Sequence, residues 1–415
     1  MQTLSLFKNF KERRYFYIVI IFIFLFNLYL EFYNYKQFRK NEIYHTNGTI
    51  INIYDKKSYQ ILKIQSKNFL FFTKYNQNKN IHLFQNIDLF ITTKISFISY
   101  LKGFYANSFH YNFPTEKIAK TTTKNKIYNF IDTQHKNKDI SSLYNALFLA
   151  TPLTQNIRIL SSKLGISHLI AISGFHLGVI SFVLYFILHL LYNKIHLKFY
   201  PYRNKRFDIM IIVSFILFAY LYFIDIPASL LRAFIMFLFA LFLLRNNIKI
   251  FSFETLFIVL VLIIAFFPKL LFSLSLWFSI FGVFYIFLFL KYFKNIHNLI
   301  QFFLFNFWIY FSINPIVHYF FATTSLEQLY SPILTILFTV FYPISIILHI
   351  FNLGGIFDIF LEHIINVQIS STEISTPLWF FIVYIIISLL AIIKKYAFVL
   401  LNLLLITYNI WLFLF

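Results

Sequence analysis

The sequence predicts a polytopic α-helical membrane protein of about ten spans, with a small all-β domain near its N-terminus. Three observations carry this. Hydrophobic residues make up 59% of the 415 and charged ones only 12%, against roughly a quarter charged in soluble proteins. Apolar runs near the length of a membrane span recur from residue 168 to 415. The one long polar stretch, from about residue 36 to 139, alternates apolar and polar residues between turn-rich breaks instead. Cysteine is absent, which excludes disulfides, thiolate metal sites and cysteine nucleophiles. The net charge of +21 suits a polyanionic partner, either lipid head groups or nucleic acid.

Lys8, Lys11, Arg13 and Arg14 precede an apolar run from Tyr15 to Leu30. The run has no small-residue cleavage site and continues into bulky residues, so an uncleaved anchor is expected, with its N-terminus cytoplasmic. Residues 1–35 are the anchor and 36–115 the β domain. Expected strands are Gly48–Tyr54, Tyr59–Ile64, Phe69–Thr73, Ile81–Phe84 and Asp88–Ile95. Five strands in about fifty residues fit an OB-like barrel. Lys56, Lys57, Lys63, Lys67 and Lys74 are interleaved with Tyr54, Tyr59, Phe69, Phe71, Phe72 and Tyr75. Cations for a backbone and rings for bases make a single-strand nucleic-acid groove; surface lysines over an aromatic core would give the same composition.

Residues 116–163 read as a tether followed by two short interfacial helices hinged at Thr151-Pro152. Spans are then expected at 168–192, 208–224, 227–244, 253–271, 274–290, 298–321, 331–351, 377–393 and 396–415. Basic residues from Lys194 to Arg206 mark the first loop between them as cytoplasmic. Lys394 and Lys395 require residues 352–376 to lie outside, which a simple count does not give. Either a polar helix at 354–365 crosses, or the segment broken at Pro343 is re-entrant.

The most unusual stretch runs from Leu164 to Val179. It concentrates two histidines, two serines and three of the chain's eight glycines at the head of a span. Hydrocarbon tolerates broken backbone and polar side chains only where protein or a water-filled cavity surrounds them. Ser173-Gly174 is therefore expected to be an unwound point, with His168, Ser173, Gly174, His176 and Gly178 lining a path. Close helix packing by the glycines is the alternative. On a continuous helix His168 and His176 would share a face, but the spacing is not that of a metal site. Ser173 lacks the elbow of a serine nucleophile.

Arg232 sits within an apolar helix that Asp225, Pro227 and Ser229 precede. Facing lipid it would cost several kcal/mol; it either snorkels to the interface or faces the protein interior. Asn314-Pro315 breaks a later apolar run and adds Asn314 to the candidate lining residues.

The run His168-Leu169-Ile170-Ala171-Ile172-Ser173-Gly174-Phe175-His176-Leu177-Gly178 resembles the signature of the ComEC competence family of DNA-uptake channels. Ser229-Leu230-Leu231-Arg232-Ala233-Phe234-Ile235-Met236 is similar to that family's S-x-x-R-A-x-x-M helix, and the anchor followed by an OB-like module to its layout. Pro268 and the segment 273–279 match a third motif loosely. The resemblance is to a short form, without the C-terminal metallo-β-lactamase-like domain of longer members, so no nuclease role is carried over and no cofactor or metal is expected. It implies passage of transforming single-stranded DNA across the bacterial inner membrane, in a multi-pass protein embedded in the lipid bilayer. Implied partners are an external DNA receptor and a cytoplasmic protein that translocates or protects DNA; a homodimer is also compatible. Two other classes stay open: a secondary transporter for a small anion, and an intramembrane hydrolase using Ser173.

Overall fold

The computed structural model describes residues 9–55, 59–75, 81, 85–112, 123–224, 226–246, 248 and 252–414. It divides into two compact units. One comprises the described residues up to Asn129 together with Leu260–Leu274; the other comprises Phe130–Val259 and Ser275–Phe415.

The first unit begins with α1 (Phe10–Phe38), about 44 Å long and so longer than the roughly 30 Å hydrocarbon layer. Its last turn buries Tyr35 and Phe38 in the core of the sheet that follows. The strands are β1 (Ile43–Asp55), β2 (Gln60–Ser66), β3 (Leu70–Tyr75), β4 (Asn86–Thr92), β5 (Phe104–Tyr105) and β6 (Ser108–Asn112), with α2 (Phe97–Lys102) between β4 and β5. Their order in the sheet is β5-β3-β2-β1-β4-β6. The all-β expectation needs correction twice: β3 and β5 pair in parallel, so the sheet is mixed, and the α2 helix, capped by Ser96, joins its core. Strand alternation does hold. Ile50, Leu62, Ile64, Phe71, Ile87, Leu89 and Ile91 are fully buried on one face.

β1 pairs with both β2 and β4, and Gly48 sits in both ladders. A Cβ there would lie 2.6 Å from Ile64 Cγ2 and 2.8 Å from the Gln65 carbonyl oxygen, so the strands approach this closely only at glycine. The segment 260–274 belongs to this unit through Asn27, which donates to the Ala265 carbonyl at 2.9 Å. Lys269 adds an ion pair to Glu31 at 2.8 Å.

The remaining helices are α3 (Thr123–Asp132), α4 (Lys138–Leu149), α5 (Gln155–Lys163), α6 (Ser167–Ile170), α7 (Gly174–Phe199), α8 (Lys205–Phe223), α9 (Ala228–Arg245), α10 (Phe253–Phe266), α11 (Leu274–Tyr292), α12 (Asn298–Phe320), α13 (Ser331–Ile350), α14 (Asp358–Ile365), α15 (Leu378–Leu390) and α16 (Lys395–Leu414). A two-residue ladder pairs β7 (Thr323–Thr324) with β8 (Thr372–Glu373).

Among the described residues, seven helices have the length and apolarity to cross a membrane, fewer than the ten expected. The apolar helices α10 and α15, of 14 and 13 residues, are only about 20 Å long. Prolines bound them: Pro268 opens a 3₁₀ turn after α10, and Pro377 precedes α15. The segment 354–365 does not cross as a polar helix, because α14 has eight residues, about 12 Å. Nor does Pro343 break the chain: α13 runs through it unbroken.

Candidate functional site

The site is built where the chain passes from α5 through α6 into α7. Gly165 ends α5 with a φ of +66°. The Ile166 amide reaches back to the Ser161 carbonyl at 2.9 Å, the closing bond of a Schellman cap that needs a left-handed residue. The segment 323–331 clasps this turn. Gln328 Nε2 donates to the Ser162 carbonyl at 3.1 Å, and Ser331 Oγ donates to the Gly165 carbonyl at 3.0 Å.

After the single turn of α6 the backbone is extended at Ala171, and α7 begins only at Gly174. The span expected from residue 168 therefore starts six residues later, and His168 and His176 do not share a face of one helix. Ser173 is the N-cap. Its Oγ accepts the Phe175 N–H at 3.3 Å, and its own backbone N–H donates to His176 Nδ1 at 3.2 Å. This is a capping box with histidine in the place of Glu or Gln. Because Nδ1 accepts, the proton of the neutral ring is on Nε2. That Nε2 closes no hydrogen bond among the described residues, and the residue is fully buried. The ring lies edge-on to Tyr342 at 4.7 Å.

α9 closes the other side. Ser229 Oγ donates to the Ile172 carbonyl at 2.6 Å, tying the extended segment to the first turn of α9. A Cβ on Gly174 would stand 3.3 Å from the Ala233 Cβ, so this glycine serves helix packing. Ile172, Leu177, Leu230 and Phe234 join residues of α8 in one apolar cluster. On the same helix as Leu230 and Phe234, Arg232 is 3% exposed, and its Nε and Nη1 have no hydrogen-bond partner among the described residues. Of the two positions expected for Arg232, the interior one is found. Leaving a guanidinium buried without a counter-charge costs several kcal/mol.

Beside the extended segment lies a cavity of about 290 Å³. Its polar lining is Thr151, Arg158, Ser167 and Ser229, and Thr151 Oγ1 is buried without a partner among the described residues. From the sequence, Thr151 is legible only as part of a hinge with Pro152 and Ser167 only as one of the serines between Leu164 and Val179, while Arg158 carries no signal. His168 is exposed on α6. Gly178 has open space where a Cβ would be. Asn314 stands apart from this group: it is buried between α12 and α16, where its Nδ2 donates to Asn409 Oδ1 at 2.7 Å. Asp225 lies outside the described residues.

Residues 151–414 match the competence protein family. The chain belongs to that family. The matched region holds the capped break, the polar lining of the cavity and Arg232. Comparison with curated proteins and with solved structures gives no match.

In the β unit the structure separates core rings from surface ones. Phe69, Phe71 and Tyr75 are buried. Lys63 and Phe72 are direct cross-strand partners and share the opposite face with Lys74 and Tyr105. The Lys63 ammonium lies 5.8 Å from the Phe72 ring centroid, and the Lys74 ammonium 4.5 Å from that of Tyr59. Partial burial lowers the Lys63 pKa from its ordinary value. Lys67 is exposed, whereas Lys56, Lys57 and the expected strand residues 82–84 lie outside the described residues.

Proposed function

We propose that this competence-family protein passes single-stranded DNA across the bacterial cytoplasmic membrane through its helical unit. The observation that carries the reading is Arg232: a guanidinium buried in the helical unit, two of whose nitrogens have no partner among the described residues. A passing phosphodiester would supply the missing charge and hydrogen-bond acceptors. His176 Nε2 and Thr151 Oγ1 are further buried groups of the same unit without a hydrogen bond among the described residues. The basic stretch from Lys194 to Arg206 orients the loop after α7 to the cytoplasm and the capped break to the outside. The family membership supports competence as the process that uses the path.

The face with Lys63, Phe72, Lys74 and Tyr105 supports a role for the β unit in receiving the strand. A first strand paired with both β2 and β4 favours an OB-like reading of this unit. The proposal includes no catalytic step: the Ser173–His176 contact is accounted for by the helix cap, with His176 Nδ1 already accepting a backbone N–H. It leaves capture of DNA outside and protection of the strand inside to separate proteins.

The test is delivery of labelled DNA to the cytoplasm in a deletion strain. Label retained outside the inner membrane, and restored to the cytoplasm by the wild-type chain, is the expected result. Cytoplasmic label in the deletion strain would refute the proposal. A small-anion transporter would keep transporting without residues 41–115, and an intramembrane hydrolase would lose its activity in Ser173→Ala.

A further inference from the structure

A second polar cluster lies in the helical unit, made of residues that the path does not use. His135, just before α4, has its side chain fully buried between Asp358 and His349. Its Nδ1 is 2.9 Å from Asp358 Oδ1, and its Nε2 is 3.0 Å from His349 Nε2. The His349 Nδ1 is 2.7 Å from the Ser345 carbonyl oxygen. The Tyr144 ring stacks on His135 at 4.7 Å and also packs against His349 at 4.4 Å.

These distances fix the proton count. A carbonyl only accepts, so His349 carries its proton on Nδ1, and a neutral His349 presents a lone pair at Nε2. His135 must then donate from Nε2. That leaves its Nδ1 facing a carboxylate, and one more proton is needed there, on the ring or on the acid. Two neutral imidazoles and an ionised carboxylate carry only two protons, one too few for three hydrogen bonds. In every such arrangement, lone pairs confront each other at one or more of the three contacts. The closed chain therefore holds a third proton and is neutral overall.

We propose that His135, His349 and Asp358 form a buried proton-binding site that works as a latch. The bound proton joins the turn before α4 to the end of α13 and the start of α14. Gln134 spans the same junction, donating to the His349 carbonyl at 3.2 Å and accepting from the Gly354 amide at 2.9 Å. Among the described residues no lysine or arginine is paired with Asp358; Lys136 and Lys138 flank His135 but are exposed. The other acids nearby are engaged elsewhere: Asp132 accepts from Ser141, and Asp139 from Asn156. Glu362 and His363 lie a turn further along α14, where His363 is bonded to the Ile359 carbonyl. Burial first, and the Asp358 carboxylate second, raise the Tyr144 pKa above its ordinary value, so the phenol stays neutral over the histidines. As pH rises and the proton leaves, one contact turns repulsive and the latch opens.

The chain has no cysteine, so Lys136→Cys with His363→Cys places two spin labels, one on each side of the latch, in the full-length protein. Their distance distribution, measured in lipid nanodiscs, should be narrow at about pH 5.5 and lose its narrow peak at about pH 9. Asp358→Asn replaces the acid by a permanent amide donor, and should keep the peak at both pH values. The same distribution at both pH values in the otherwise wild-type chain would overturn the proposal, as would a variant that still responds to pH. Loss of the narrow peak on adding EDTA at low pH would also overturn it, in favour of a bridging metal. If Asp358→Asn does not fold, the wild-type pH and EDTA comparisons decide alone.

Discussion

His176 completes the helix cap that Ser173 begins: its Nδ1 accepts the Ser173 backbone N–H at 3.2 Å. A polar side chain in this apolar surrounding thus has a structural duty at one nitrogen and a free donor at the other. His176→Gln restores an acceptor of the kind normal at this position of a capping box, and should melt close to wild type in detergent. His176→Leu leaves the Ser173 amide unsatisfied and should cost about 1 kcal/mol. Equal melting of the two variants would remove the capping role.

Two of the three glycines between Leu164 and Val179 are predicted to respond to alanine with opposite signs. Gly165→Ala puts a side chain at a φ of +66° and should destabilise by about 1–2 kcal/mol. Gly178, inside α7, has nothing within 4 Å of a Cβ. Gly178→Ala should therefore stabilise by roughly 0.5–1 kcal/mol. Thermal midpoints of the pair in the same detergent check both signs.

The β unit makes a similar contrast between adjacent rings. Phe71 is fully buried, and its truncation to alanine should cost about 3–5 kcal/mol of stability. Phe72→Ala should leave the unit folded and weaken single-stranded DNA binding by about 1–3 kcal/mol. Lys63→Gln with Lys74→Gln should in addition flatten the dependence of affinity on salt. Titration of a labelled oligonucleotide at several salt concentrations reads both effects.

These contrasts show where the sequence was legible. Alternation of apolar residues placed β1 to β4, and apolar length placed most of the helices, because both follow from local periodicity. The parallel β3–β5 pair was not legible, since a two-residue strand carries no period. Arg232 was conspicuous as a charge inside an apolar run. Its interior position depends on how α9 packs within the helical unit, which no local pattern encodes. The same holds for Asn314, whose partner Asn409 is 95 residues away, and for His135, which meets His349 across 214. Thr151 and Arg158 gave no signal as single residues; only the turn of the chain at Ala150 and the break at Ala171 bring them to one cavity.

Arg232→Met tests the central claim most directly, by measuring stability and DNA delivery in the same variant. Replacing an unpaired buried charge by an apolar side chain of similar length should leave the thermal midpoint unchanged or raise stability by about 1–4 kcal/mol. Delivery of labelled single-stranded DNA to the cytoplasm should be lost, with the protein still in the membrane at its usual level. Normal delivery by Arg232→Met would contradict the role given to this residue.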